Sequence, residues 1–425
     1  MKVPHQKNQY QERGFVLLMT LGIAVAIGLA LGSYFLMVRQ EDQTVVRSKC
    51  WNGALAMAEA GVDEALAQMN SSPKNFSVNS WGATGGTNGP VTRTLANGSY
   101  TVKIVNGAVP TIYSTGTLNV PDTSQTLSRS VKVTTTTQPQ SYFFVGLGAI
   151  GNINMNGNKA ATASWNSHTN TLSTNGRFNS NLTSSNGDVA SVQGIVNIGQ
   201  HTILGNLYLG PTATYTSGSN QVTGTIYSDY NVQFPTVTLP TTDTNGNSIS
   251  WQVAPNVGSG GNNTNYFTSS GYYTINNNNP ILVQTNVSVT VDVKTSNYSL
   301  GGLIINGGTT NSGTLVMYQE SGTITLGGNS GGGAINNRPE NFVYLGMTNV
   351  TSITLSGNST FIGAIYAPQA TLTLNGGGNS NNLEGSAIVN TITMNGKYDF
   401  WFDLALENWV NGVNKGYVAA SWQEL

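Results

Sequence analysis

Residues 15–38 form an apolar run without one charged side chain. At about 24 residues it can cross a hydrocarbon core of about 30 Å as a helix. The apolar core of a secretory signal is shorter, about 7–15 residues, although Ala30-Leu31-Gly32 has the small residues of a cleavage site. Lysines and arginines flank the run on both sides, so charge counting does not orient it. Beyond Val38 the spacing remains helical. Trp51, Leu55, Ala58, Val62, Ala65 and Met69 recur by fours and threes on one stripe, and Glu41, Asp42, Glu59, Asp63 and Glu64 fall off it. Asn70-Ser71-Ser72-Pro73 is a stop signal. The pattern predicts one helix over 15–70, about 80 Å long, apolar first and amphipathic afterwards. Gly22, Gly28, Gly32, Gly53 and Gly61 would let another helix approach closely.

From Asn97 the period becomes two. "GSYTVKIV", "TIYSTGTLNV" and "LSRSVKVTTTT" read as strands of a small antiparallel sheet over 99–136, within a module spanning 71–140. Residues 134–140 then read as a strand end and a linker. Such a sheet needs the helix to cover one face.

A larger self-similar domain is expected over 141–402. "ITLSG" at Ile353, "LTLNG" at Leu372 and "ITMNG" at Ile392 recur about every 20 residues. "ITLGG" at Ile324 and "INMNG" at Ile153 are less regular copies. A sandwich built from hairpins is one reading, since Asn-Gly favours tight turns. A β-solenoid accounts better for near-identical strands at a constant step, with Asn, Thr and Ser ladders along it. Residues 403–425 are expected to cap its last coil, with Asp403 starting a short helix and Phe400, Trp401, Phe402 and Trp409 covering the end. The fold class is therefore mainly β with one long N-terminal helix.

Composition narrows the function. Charged residues make up 8 % of the 425, and the formal net charge is −1. With no basic run after the helix, nucleic acid is not an expected partner. The single cysteine, Cys50, permits neither an internal disulfide nor a cysteine zinc site, and reads as a small buried residue.

Arg13-Gly14-Phe15 followed by the apolar helix resembles the leader junction of type IV pilin-like proteins. "AEAGVDEAL", 58–66, is similar to the N-terminal segment of PilX-type minor pilins. The resemblance implies a leader over 1–14, cleavage by a prepilin peptidase between Gly14 and Phe15, and methylation of the new N-terminus. It also implies other pilin-like subunits as partners, packed through a helix bearing Met19, Trp51, Leu55, Ala58 and Val62. Major pilins carry a glutamate five residues into the mature helix, where this chain has Met19. That departure points away from a major subunit and leaves a minor or tip subunit open. "FIGAIYAPQATLTLNG" and "FWFDLAL" resemble repeat-rich domains found behind PilX-type N-termini, without implying a chemistry.

Motifs for catalysis are sparse. "GLGAIG", 146–151, has dinucleotide-loop spacing but is followed by "NINMNGN", a poor helix start. His168 and His201 stand far apart in sequence, and no metal-ligand cluster or cofactor motif is expected. Asp399 and Asp403 could be imagined as a glycosidase pair, but capping is the commoner role. Tyr266, Tyr272 and Tyr273 could stack on sugars or pack coils. The expectation is a non-enzymatic minor pilin-like component of a type IV pilus or type II secretion-type filament. It would be a single-pass protein of the bacterial inner membrane with the bulk exported, and extracellular once in a pilus. Its solenoid would serve capping, adhesion or contact with a surface glycan or cell. The rivals are a permanent membrane anchor carrying a surface β-helix and, behind it, a polysaccharide-active enzyme.

Overall fold

The computed structural model describes residues 10–425 except 71–80, 85, 108, 122, 156–159, 218–220, 231, 244, 259–262, 307–310, 327–337, 357–359, 377–380 and 411–414. It has one long helix followed by mainly β structure, in two compact units. Leader residues 1–9 lie outside the described residues, as does the stop signal beyond Asn70.

The first unit contains helix α1 (Tyr10–Asn70) and a six-stranded sheet. The helix is about 90 Å long at 1.5 Å per residue. It starts upstream of Phe15 and runs unbroken through the Gly14–Phe15 junction. The three expected strands are Gly98–Val105, Thr111–Asn119 and Thr126–Pro139, paired antiparallel. Thr126–Pro139 extends through most of the expected linker. Three more strands enlarge the sheet: Ala83–Thr84, Thr87–Leu95 and Lys415–Glu424. Lys415–Glu424 lies beside Thr126–Pro139, so this segment completes the first sheet and does not cap the repeats as expected. Several contacts hold it there. Asn70 Nδ2 donates to Tyr417 O at 3.0 Å, and Leu425 N donates to Ser130 O at 2.9 Å.

In the second unit, 137–416, most strands stack in parallel, and Asn256–Val257 pairs antiparallel with Thr264–Phe267. Parallel pairing between strands that follow one another along the chain is not the pairing of a sandwich built from hairpins. The irregular copies are in register with the regular ones. Tyr298, Ile324, Ile353, Leu372, Ile392 and Ile153 succeed one another across neighbouring strands. Leu300, Leu326, Leu355, Leu374, Met394 and Met155 form the next row, and all of these side chains are buried. Polar ladders run beside them: Thr391 Oγ1 donates to Thr371 Oγ1 and Asn395 Nδ2 to Asn375 Oδ1, both at 3.0 Å.

The order of the coils differs from the order of the chain. Asn381–Asn395 pairs with Leu147–Ala149 and Ile153–Met155, so the first coil sits on the last. Tyr398–Asp403 lies between Asn381–Asn395 and Ala161–Trp165. Phe400 and Phe402 are therefore buried inside the stack and do not cover its end, because another coil supplies the cover. From this seam one arm continues through Val189–Ser191 and Leu207–Leu209 to Ile226–Tyr227. Residues 232–239 then run along the outside of the stack, burying Phe234 and Val237, with Tyr366 Oη donating to Pro235 O at 2.6 Å. The other arm starts at Gln252–Val253 and winds back to the seam. This outer segment explains why residues 361–368 are buried without alternation, as in strands covered on both faces.

Candidate functional site

The feature that sets this chain apart is the unequal use of α1. Every side chain from 15 to 45 is exposed, and the helix is long and apolar enough to cross a membrane. Phe15 (66 % exposed) and Met19 (54 %) border a shallow groove around Gly22 with Leu18, Ile23 and Ala26. Gly22, Gly28 and Gly32 have open space beside them.

The second half of α1 is seated on the sheet. Cys50, Ala54, Ala58, Val62, Ala65 and Met69 are buried. A Cβ on Gly116 would lie 2.1 Å from Ala54 O, and one on Gly61 would lie 2.2 Å from Ser114 Oγ. Small residues on both partners thus bring the backbones together. This shifts the buried stripe at its start from Trp51 and Leu55 to Cys50 and Ala54. Trp51 is 46 % exposed under the Arg129 guanidinium, 5.0 Å from its ring, and Leu55 is half-buried. Ala58 and Val62, expected to pack subunits together, are occupied by the chain's own sheet, and Gly53 and Gly61 face the sheet too.

Glu64, in the "AEAGVDEAL" block, anchors this seat. Its carboxylate accepts from Arg93 Nη2 at 2.6 Å, Tyr100 Oη at 2.7 Å and Trp81 Nε1 at 3.3 Å. Burial alone would raise the carboxyl, but the hydrogen bonds from Arg93 and Tyr100 outweigh it and hold it below its usual value. Burial first, and then the hydrogen bond to Glu64 and its charge, push the Tyr100 phenol up to about 12.

In the second unit the acidic candidates hold backbone. Asp399 Oδ1 accepts from Ala161 N at 2.9 Å. Asp403 Oδ1 accepts from Ser167 N at 2.9 Å and from Ala405 N at 3.1 Å, capping a short 3-10 helix, Leu404–Asn408. The sequence missed a neighbour, Glu384, which faces Trp401 across a rung. Burial and then the charge of Asp403 push its carboxyl up to about 7. The only signal was a glutamate inside an apolar run. His168 Nε2 pairs with Glu340 at 2.9 Å, while His201 is buried and lowered by that burial. After "GLGAIG" comes a strand, Ile153–Met155, where a nucleotide loop needs a helix. Tyr273 is buried against Phe267, Tyr272 meets the Trp251 ring edge-on, and Tyr266 accepts from Gln284 Nε2.

Residues 241–409 match a family described as a domain of unknown function, DUF7305. No curated protein matches the chain. Among solved structures, the chain is similar to the competence-associated pilin ComZ from Thermus thermophilus, at 12 % identity and a TM-score of 0.28, over 88 % of this chain and 96 % of that one.

Proposed function

We propose that this chain is a minor, PilX-type pilin-like subunit of a type IV pilus or type II secretion-type filament. The observation that carries the reading is the division of α1, exposed and apolar over 15–38 and seated on a sheet from Cys50 onward. An apolar helix surface of this length must be covered by lipid or by other helices. In this reading 15–38 holds the chain in the inner membrane as a single span, with the rest exported. On assembly the same surface exchanges lipid for neighbouring pilin-like helices. Phe15 and Met19 lie on the exposed half that neighbours would cover, and Trp51 and Leu55 lie at the edge of the seat.

A prepilin peptidase would cut between Gly14 and Phe15. The stacked unit is then a β-solenoid displayed for capping, adhesion or surface contact. No catalysis is assigned to it; Asp399 Oδ1 and Asp403 Oδ1 accept from backbone amides. The competing reading is a permanent anchor, favoured by the continuity of α1 from Tyr10 through the junction.

Intact mass of the protein recovered from its own cells decides between them. Loss of residues 1–14 with a methyl group on Phe15 is expected. A full-length chain overturns the filament assignment and leaves an anchored surface protein.

A further inference from the structure

The strands that bury Ile324, Ile353, Leu372 and Ile392 turn their alternate residues outward. Thr325, Thr354, Thr373 and Thr393 are direct partners from coil to coil, so they form one straight row. Thr323, Ser352, Thr371 and Thr391 form a second row, two residues earlier on the same strands. Pairing is continuous over 323–326, 352–355, 371–374 and 391–394, so no register shift breaks either row. Thr323 is exposed, and the others are half-buried among their own neighbours in the array. The first row continues into Ser299 at one end and into Asn154 and Asn197 at the other. No charged or aromatic side chain interrupts it.

Two such rows make a regular two-dimensional array. Neighbouring coils lie about 4.8 Å apart, and alternate residues along one strand about 6.7 Å apart. Threonine is stiff at χ1, so its hydroxyl and methyl are held in place before any partner arrives. In the second row Thr391 Oγ1 donates to Thr371 Oγ1 at 3.0 Å, which fixes those hydroxyls further. In the first row the hydroxyls of Thr325, Thr354, Thr373 and Thr393 have no protein partner among the described residues.

We infer that this face binds ice. A face that repeats at two fixed spacings is complementary to a partner that repeats in two dimensions, and the oxygens of ice lie at spacings close to both. Each hydroxyl can donate and accept, as a lattice water does, and the methyl groups occupy the space between. Rows without charge offer nothing to an ionic polymer, and rows without aromatic rings offer no stacking platform to sugars. Small ligands need a concave site, which a row of partners in constant register does not make. The inference stands apart from the filament assignment, because binding does not depend on whether Gly14–Phe15 is cut.

The test is partition of the full chain, in detergent micelles, into slowly grown ice, with serum albumin in the same detergent as the control protein. The ice should be enriched in the chain relative to albumin. Thr354→Lys and Thr373→Lys should each lower incorporation by about tenfold, and Gln369→Lys, an exposed position off both rows, should leave it unchanged. Circular dichroism confirms that the variants are folded, and Thr323→Lys, at the exposed end of the second row, serves if the inner variants are not. No enrichment over albumin, adsorption to crystalline cellulose or chitin in place of ice, or folded lysine variants that partition like the wild type overturns the inference.

Discussion

Glu384→Gln tests how the seam of the stack handles charge. Glu384 is 7 % exposed on Asn381–Asn395, one rung from Trp401 and near the buried Asp403. Its carboxyl moves from an ordinary 4.5 to about 7, through burial first and the Asp403 charge second. A carboxyl raised in the folded state binds its proton more tightly there than in the unfolded chain. Its contribution is therefore fully present below 4.5 and is lost as pH rises through about 7. At about 1.4 kcal/mol per pH unit the whole swing is about 3 kcal/mol. Glutamine keeps the neutral shape and does not titrate. Denaturant-dependent amide exchange of the 381–395 strand, read at about pH 4.5, 6 and 8, isolates this unit from the helix and its sheet. The variant should match the wild type at the lowest pH and exceed it by about 3 kcal/mol at the highest. Stability curves that stay parallel across the range would refute the burial and the coupling to Asp403.

Gly116→Ala would place a methyl group 2.1 Å from Ala54 O, and should cost the first unit about 1–3 kcal/mol in thermal unfolding. An unchanged melting curve would mean that α1 is not seated on this strand. Ile153→Ala and Ile392→Ala should each cost about 2–5 kcal/mol, and a double-mutant cycle should show coupling above about 0.5 kcal/mol, because the two are paired across the seam. Strict additivity would separate the first coil from the last.

The helix was legible because an uninterrupted apolar run followed by a 3.6-residue period has few other solutions. The repeats were legible for a similar reason: identical strands at a constant step must line up. Coil order was not legible. "INMNG" at Ile153 resembles "ITMNG" at Ile392 because they share a column, yet likeness says nothing about which copies touch. The edge strand Lys415–Glu424 was read as a cap because its partner, Thr126–Pro139, lies almost 300 residues earlier. The helix stripe drifted for a local reason. Periodicity favours the large Trp51 and Leu55, but the sheet approaches through Gly116 and selects Ala54 and Ala58. At the junction Phe15 lies exposed, and Ala58 and Val62 face the chain's own sheet, which the pattern of a helix face alone does not reveal. Glu384 escaped notice because its acidic neighbour joins it only across stacked rungs.

The seam has an evolutionary consequence. Ser141 Oγ donates to Leu406 O at 2.7 Å, so the chain enters and leaves the stack at one place, midway along it. Growth by duplication can then happen at the outer turns, near Tyr230 or Trp251, without moving either connection. A lineage could lengthen or shorten this unit coil by coil, as a reel takes on cord, while the points where it is spliced into the chain stay unchanged. Variation in size would then be expected to gather in the outer coils, with the residues around Ile153 and Ile392 keeping their shape.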